Sequence, residues 1–142
     1  MQKVKTAVTT LEKEQVFEIR RKVFVEEQGV PLSIEMDEHD DSAIHFIGYE
    51  LEQPIAAARL REIETGVGKV ERVCVLPEFR GQHAGVLMMN AIEEHANKSG
   101  FARLKLNSQS YAIPFYEKLN YVVTSSEFMD AGIPHRTMEK SI

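Results

Sequence analysis

The chain has 142 residues, 43% hydrophobic and 27% charged, with a net charge of −5 and a single cysteine, Cys74. That length fits a single domain, residues 1–142, with its own core, and the composition excludes a disordered chain or a disulfide scaffold. The negative charge argues against a basic nucleic-acid surface, no apolar run is long enough to span a membrane, and MQKVKTAVTT has no signal-peptide core. Neither nucleic acid nor membrane is an expected partner, and the cytoplasm is the expected compartment.

Residues 3–8 alternate in polarity and predict a first strand. Thr9 and Glu12 form a T-x-x-E capping box, so a helix should begin there. Its helical stripe of Val16, Ile19, Val23 and Phe24 is interrupted by Arg20 and Glu27, which either snorkel at the rim or point into a cleft. Gly29 and Pro31 should end it. The acidic run Ile34–Asp41 reads as a solvated loop or short helix, or as an acidic lip that draws in a protonated amine.

Residues 43–51 and 55–63 predict two strands joined as a hairpin around Glu52-Gln53-Pro54, and residues 69–76 a third strand after a glycine turn. Strict alternation places Val70, Arg72, Cys74 and Leu76 on one face and Glu71, Val73 and Val75 on the other. Pro77 should end the strand. Ala84, Leu87, Met88, Ala91, Ile92 and Ala96 then fall on one face of a helix that stops at Gly100. Residues 101–106 should form a strand parallel to the third through a right-handed crossover. A helix over 109–119 and strands over 121–124 and 134–139 complete an α+β domain with a mixed sheet; the segment 127–132 separates the last two strands, and its Asp130-Ala131-Gly132 end is a turn.

Between the third strand and the long helix lies Arg80-Gly81-Gln82-His83-Ala84-Gly85. Consecutive backbone amides and small side chains at a helix start make an anion site. The run lacks the lysine and hydroxyl of a nucleotide P-loop and is not a G-x-G-x-x-G fingerprint, so ATP and NAD fit poorly, and a diphosphate beside Arg80 fits better. The five histidines and Cys74 show no metal-ligand spacing, so no metal is expected.

V-C-V-L-P-E-F-R-G-Q-H-A-G, an amphipathic helix, and then N-S-Q-S-Y-A-I-P-F-Y-E-K-L-N-Y resemble the GNAT superfamily of N-acetyltransferases. R-x-x-V-F-V-x-E-Q-x-V-P in the first helix and D-A-G-I-P-H near the end are similar to its YjcF/ElaA-like branch, so the likeness covers nearly the whole chain. Two positions depart from the pattern: His83 and Asn120 stand where glycine is preferred. Asn tolerates a left-handed backbone. His83 must either hold an ordinary backbone conformation with its side chain in solvent or be one more group near the phosphates.

The resemblance implies a mostly antiparallel sheet of six to seven strands with about four helices, splayed between strands 69–76 and 101–106. It further implies acetyl-CoA as cosubstrate, with its pantetheine arm in the splay against the backbone of Val73 and Val75 and its diphosphate on Arg80, Gly81, Gln82, His83, Ala84 and Gly85. The Val75 amide would face the thioester oxygen, and Asn107 and Gln109 would lie at the coenzyme. Tyr116 resembles the family's general acid, with a core aromatic as the plain alternative. Glu71 and Glu27 are both candidates for the base, and either could instead pair with an arginine. Arg20, Glu27 and His135 are candidate acceptor-binding residues. Cys74, on the opposite face from Val73 and Val75, should be an inert buried thiol.

The expected function is direct acetyl transfer, in a ternary complex, to the primary amine of a small molecule such as an amino acid or polyamine. The alternative is a non-catalytic coenzyme A-binding or regulatory module. Self-association into a homodimer is left open.

Overall fold

A computed structural model describes residues 2–142. The strands are β1 (Gln2–Ala7), β2 (Ile44–Glu50), β3 (Gln53–Glu64), β4 (Val67–Val75), β5 (Arg103–Gln109), β6 (Val122–Val123), β7 (Phe128–Asp130) and β8 (Ile133–Ser141). The helices are α1 (Thr10–Arg20), α2 (Leu32–Glu35), α3 (Ala84–Lys98) and α4 (Ile113–Glu117). The sheet runs β1-β2-β3-β4-β5-β8-β6 with β7 added on β8, and among the described residues only the β4–β5 pair is parallel. The fold is therefore the expected mixed, mostly antiparallel α+β type, with eight strands rather than six or seven. The extra pairing comes from Phe128–Asp130, which folds back on Ile133–His135 across the expected turn at Asp130-Ala131-Gly132.

The Thr9–Glu12 capping box forms in both directions: Thr9 Oγ1 accepts from Glu12 N at 3.1 Å, and Glu12 Oε1 accepts from Thr9 N at 3.0 Å. After Arg20 the backbone loosens into a π-helical stretch over Arg21–Glu27, which ends at Gly29. The acidic run is not a solvated loop. It folds into α2 and a 3₁₀ turn over Glu38–Asp41, and it buries Glu35 and Asp40.

Two cores lie on opposite faces of the sheet. α3 packs Ala84, Met88, Met89, Ile92 and Ala96 against Phe46, Ala58, Leu60 and Val70. α1 packs Val16 and Ile19 against Ile47, Ala57, Cys74 and Leu76. Met89 rather than Leu87 belongs to the buried face of α3: Met89 is fully buried and Leu87 is 38% exposed. The alanines at 56, 57 and 58 of β3 let helices approach both faces.

The alternation expected for β4 breaks in the middle. Ala57 pairs with Cys74 but Arg59 pairs with Glu71, so β4 carries one extra residue, and Arg72 sits there with φ 59°. Val70 before the bulge and Val73 and Val75 after it all pack toward α3, whereas Cys74 packs toward α1. Glu71, bonded to Arg59 of β3, therefore faces away from Val73 and Val75 instead of sharing their side.

Candidate functional site

β4 and β5 pair only from Val67↔Arg103 to Val70↔Leu106, and beyond that point the two strands part. A cavity of about 190 Å³ occupies the gap. Its walls come from both faces of the sheet: Val73, Leu106, Ala112 and Tyr116 on the α3–α4 side, and Phe24, Gln28, Ile34 and Glu35 toward α1–α2. Asn107, Gln109 and His135 also line it. The splay expected between residues 69–76 and 101–106 is thus present, with β5 running on to Gln109.

Backbone polarity in the gap follows from one hydrogen bond. Leu76 N donates to Ile55 O at 2.8 Å, so Leu76 turns its polar groups to β3, and by alternation Val75 turns its own away. In agreement, Val75 O accepts from Arg80 Nε at 2.9 Å rather than from β3. The Val75 N–H points the same way as its carbonyl, toward the open side.

Gly81 (φ 78°) and His83 (φ 67°) both take left-handed backbone conformations in the turn that launches α3. His83 is the N-cap and makes no side-chain capping bond; the first helical bond is Leu87 N to His83 O at 3.0 Å. The N–H groups of Ala84, Gly85 and Val86 consequently have no intrahelical acceptor and stand at the positive end of a 15-residue helix. A Cβ on Gly85 would stand 3.0 Å from Phe115 Cζ, so glycine lets α3 rest on α4 without pushing that ring back. Of the two backbone options for His83, the ordinary conformation is ruled out: the imidazole is exposed and the residue adopts the geometry glycine would prefer. Asn120, at φ 73°, takes the left-handed backbone that asparagine tolerates.

Arg80 gives Nη1 and Nη2 to Glu27 at 2.7 and 2.6 Å, and these bonds hold the Glu27 carboxyl below its usual range. Three of the five guanidinium hydrogens are used in this way and in the bond to Val75 O, which leaves two for an anion. Glu27 does not line the cavity, and an exposed carboxylate locked to an arginine is a poor base and a poor acceptor ligand.

Arg20 is corrected in a different way. It is fully buried, with Nε 2.7 Å from Glu35 Oε1 and Nη1 2.6 Å from Asp40 Oδ1, out of reach of any substrate. Arg59, also buried, bonds Asp37, Asp40 and Glu71. Glu71 additionally receives Arg61 Nε at 2.7 Å and lies 3.3 Å from Lys69 Nζ. Burial works against its charge, but the hydrogen bond from Arg61 and the charges of Arg59 and Lys69 outweigh that and push the carboxyl down to about 2. Glu71 lines the cavity yet is far too acidic to take a proton at neutral pH. Arg72 completes the linked set by contacting the Glu35 carboxylate at 3.4 Å and Asp37 at 3.3 Å. Glu35 Oε2 is buried in the same region and receives no donor from the described residues.

Tyr116 is 8% exposed, edge-on to Phe115 and Tyr121 at centroid distances of 4.9 and 5.9 Å, and it lines the cavity. Its hydroxyl makes no hydrogen bond among the described residues, and burial raises its pKa, so the proton stays on at neutral pH. Core aromatic and cavity wall are therefore the same residue. His135 stacks on Phe128 at 6.0 Å and 22°, and its Nδ1 lies 2.7 Å from Ile133 O. A carbonyl can only accept, so Nδ1 carries a proton toward Ile133 O, and Nε2 makes no hydrogen bond among the described residues.

Gln109 Nε2 donates to Gln28 Oε1 at 2.9 Å, and Asn107 Oδ1 accepts from Thr137 at 2.9 Å. Cys74 is buried, and desolvation pushes its thiol up to about 12, which makes it inert. Among the described residues no three His, Cys, Asp or Glu side chains gather to hold a metal, and no helix is long and apolar enough to cross a membrane. Sequence reasoning missed Gln28, Glu35, Lys69 and Arg72 as cavity residues. The E-Q pair at the end of the first helix was a signal for Gln28; nothing local marked the bulge that turns Arg72.

A splayed β4–β5 pair, an amide-rich turn launching the intervening helix, and a tyrosine at the gap together define an acyl-CoA N-acyltransferase architecture. In agreement, the acetyltransferase (GNAT) domain family matches residues 7–142, and the chain belongs to that family. The Bacillus subtilis protein YjcF, described as an uncharacterized N-acetyltransferase, is 43% identical over 125 residues, covering 87% of this chain and 89% of its own. A crystal structure from Lactobacillus plantarum superposes with a TM-score of 0.92 at 29% identity, covering 99% of this chain and 97% of that one. Escherichia coli ElaA has the same fold, with a TM-score of 0.87 at 20% identity and coverage of 99% of both chains.

Proposed function

We propose that the protein transfers the acetyl group of acetyl-CoA to the primary amine of a small molecule by direct attack in a ternary complex. One observation carries this reading: the cavity in the β4–β5 gap is continuous from Tyr116 and Val73 on one face of the sheet to Glu35 and Ile34 on the other. Donor and acceptor can therefore enter from opposite sides and meet in the gap.

The turn fits a diphosphate. The N–H groups of His83, Ala84 and Gly85 and the two spare hydrogens of Arg80 would hold it, while Gly81 leaves open space, with nothing within 4 Å of a Cβ placed there. The exposed backbone of Val73 and Val75 would pair with the pantetheine amides, and Asn107 and Gln109 border the same channel. When bound, acetyl-CoA supplies the activated acetyl group, and the chain does the rest. The Val75 N–H donates to the thioester oxygen as charge grows there. Tyr116, kept protonated by burial, gives a hydrogen bond or proton to the departing sulfur.

Neither Glu71 nor Glu27 suits the role of base, for the reasons given above. His135 suits it better, because its Nδ1 proton is committed to Ile133 O and Nε2 is left to accept a proton from the acceptor ammonium.

The test is a pair of measurements on wild type and Tyr116→Phe. Acetyl-CoA should raise the melting temperature of both proteins, and thiol release with an amine panel should fall roughly 10²-fold in the variant. Full activity of Tyr116→Phe with every acceptor would remove the acid assignment, and no stabilisation by acetyl-CoA would remove the function.

A further inference from the structure

The buried charge network beneath the acceptor side of the cavity does not balance. Through direct ion pairs it joins five cations, on β3, β4 and α1, to four carboxylates, three from the α2 region and Glu71. No other carboxylate pairs with these cations among the described residues. Asp130, the remaining acid on the cavity wall, lies on β7 and makes no ion pair with the set. By direct ion pairs the cations of this network therefore outnumber its carboxylates by one, and the cations that reach the cavity are Lys69 and Arg72.

Arg20 and Arg59 are sealed in, at 0% and 1% exposure, whereas Arg61, Lys69 and Arg72 are 24%, 23% and 23% exposed, and of these three Lys69 and Arg72 line the cavity. Arg72 uses Nε and Nη2 on Glu35, Ile34 and Asp37, and Nη1 bonds to nothing among the described residues. Lys69 has a single contact, 3.3 Å from Glu71, and its ammonium has three hydrogens. Arg72 is held in this position by a left-handed backbone at the β4 bulge.

We propose that Lys69 and Arg72 form an anion subsite that binds a carboxylate on the acceptor, so that the enzyme acetylates amino acids or other amines bearing a carboxylate, and not polyamines. This rests on the acetyltransferase reading above. A carboxylate would receive charge-assisted bonds from both side chains, while a diamine would set its second ammonium against Lys69 and Arg72. Such bonds correspond to discrimination of about tenfold or more against an otherwise identical acceptor lacking the charge.

The experiment first confirms that acetyl-CoA raises the melting temperature, then measures thiol release with the common amino acids, their amides and a short diamine. The expected result is turnover of at least one amino acid, at a kcat/KM tenfold or more above that of its amide, and none with the diamine. Lys69→Gln and, separately, Arg72→Gln should raise KM for the amino acid about tenfold and leave KM for the amide unchanged. Using Lys69→Gln alongside covers the chance that loss of Arg72 loosens α2, and the acid–amide comparison on wild type needs no variant. Amides matching acids, preference for the diamine, or acetyl-CoA binding with no carboxylate-bearing amine consumed would each overturn the subsite. Failure to bind acetyl-CoA would overturn the acetyltransferase reading itself.

Discussion

Glu71→Gln isolates what the buried network contributes to stability. The substitution keeps the shape of the side chain and removes only its charge, leaving Arg59, Arg61 and Lys69 around a neutral amide. The carboxyl is held at about 2 against 4.5 for a free glutamate. Since the folded value is depressed, the stabilisation is fully present above about pH 4.5 and is lost as pH falls toward 2. At about 1.4 kcal/mol per tenfold change in proton affinity, that drop corresponds to roughly 3 kcal/mol, within the range found when one partner of a buried pair is removed.

Urea unfolding of both proteins at pH 7 should differ by roughly 3 kcal/mol, equivalent to about 10 °C in melting temperature for a domain of this size. At pH 3 the gap should shrink to less than half, because Glu71 of the unfolded wild-type chain is by then protonated while the folded carboxyl is only beginning to be, and the other acids titrate in both proteins. A gap below about 1 kcal/mol at pH 7, or one that does not change with pH, would refute the assignment of Glu71 as a structural anion and reopen its candidacy as a base.

Two further outcomes test the site. His83→Gly relieves a left-handed backbone at the N-terminus of α3, so it should leave acetyl-CoA affinity within about twofold and raise stability by roughly 0.5 kcal/mol after the added chain entropy of glycine. A tenfold loss of acetyl-CoA binding by isothermal titration would instead show that the imidazole contacts the phosphates. His135→Gln can still donate to Ile133 O but has no basic nitrogen, so thiol release should fall roughly 10²-fold while the melting shift with acetyl-CoA stays the same; retained turnover would exclude His135 as the proton acceptor.

Much of this protein is legible in its residues because much of it is local. Thr9 and Glu12 announce the first helix, Gly29 follows the π-helical stretch that extends α1, Gly100 follows α3, and alternation marks β2 and β3. Arg80 to Gly85 carries its own physics, since a run of amides at a helix start binds anions whatever surrounds it. The splay and Tyr116 were reached through the F-Y-E-K and R-G-Q-H-A-G motifs, whose likeness to a known family carried geometry that periodicity alone could not.

What only the tertiary structure decided are the outcomes of long-range pairing. One extra residue in β4, at Arg72, reverses the alternation on either side of it and parts Glu71 from Val73; a two-residue period cannot reveal where its own phase slips. The roles of Arg20, Glu27 and Glu71 turned on partners 15, 53 and 12 residues away: Glu35, Arg80 and Arg59. The same residue types that suggested a substrate pocket were used to neutralise one another, since a buried charge must be paired wherever the fold brings a counter-charge to it. The charges left at the cavity are therefore those that the pairing did not consume, and Lys69 and Arg72 could be found only by counting the pairs.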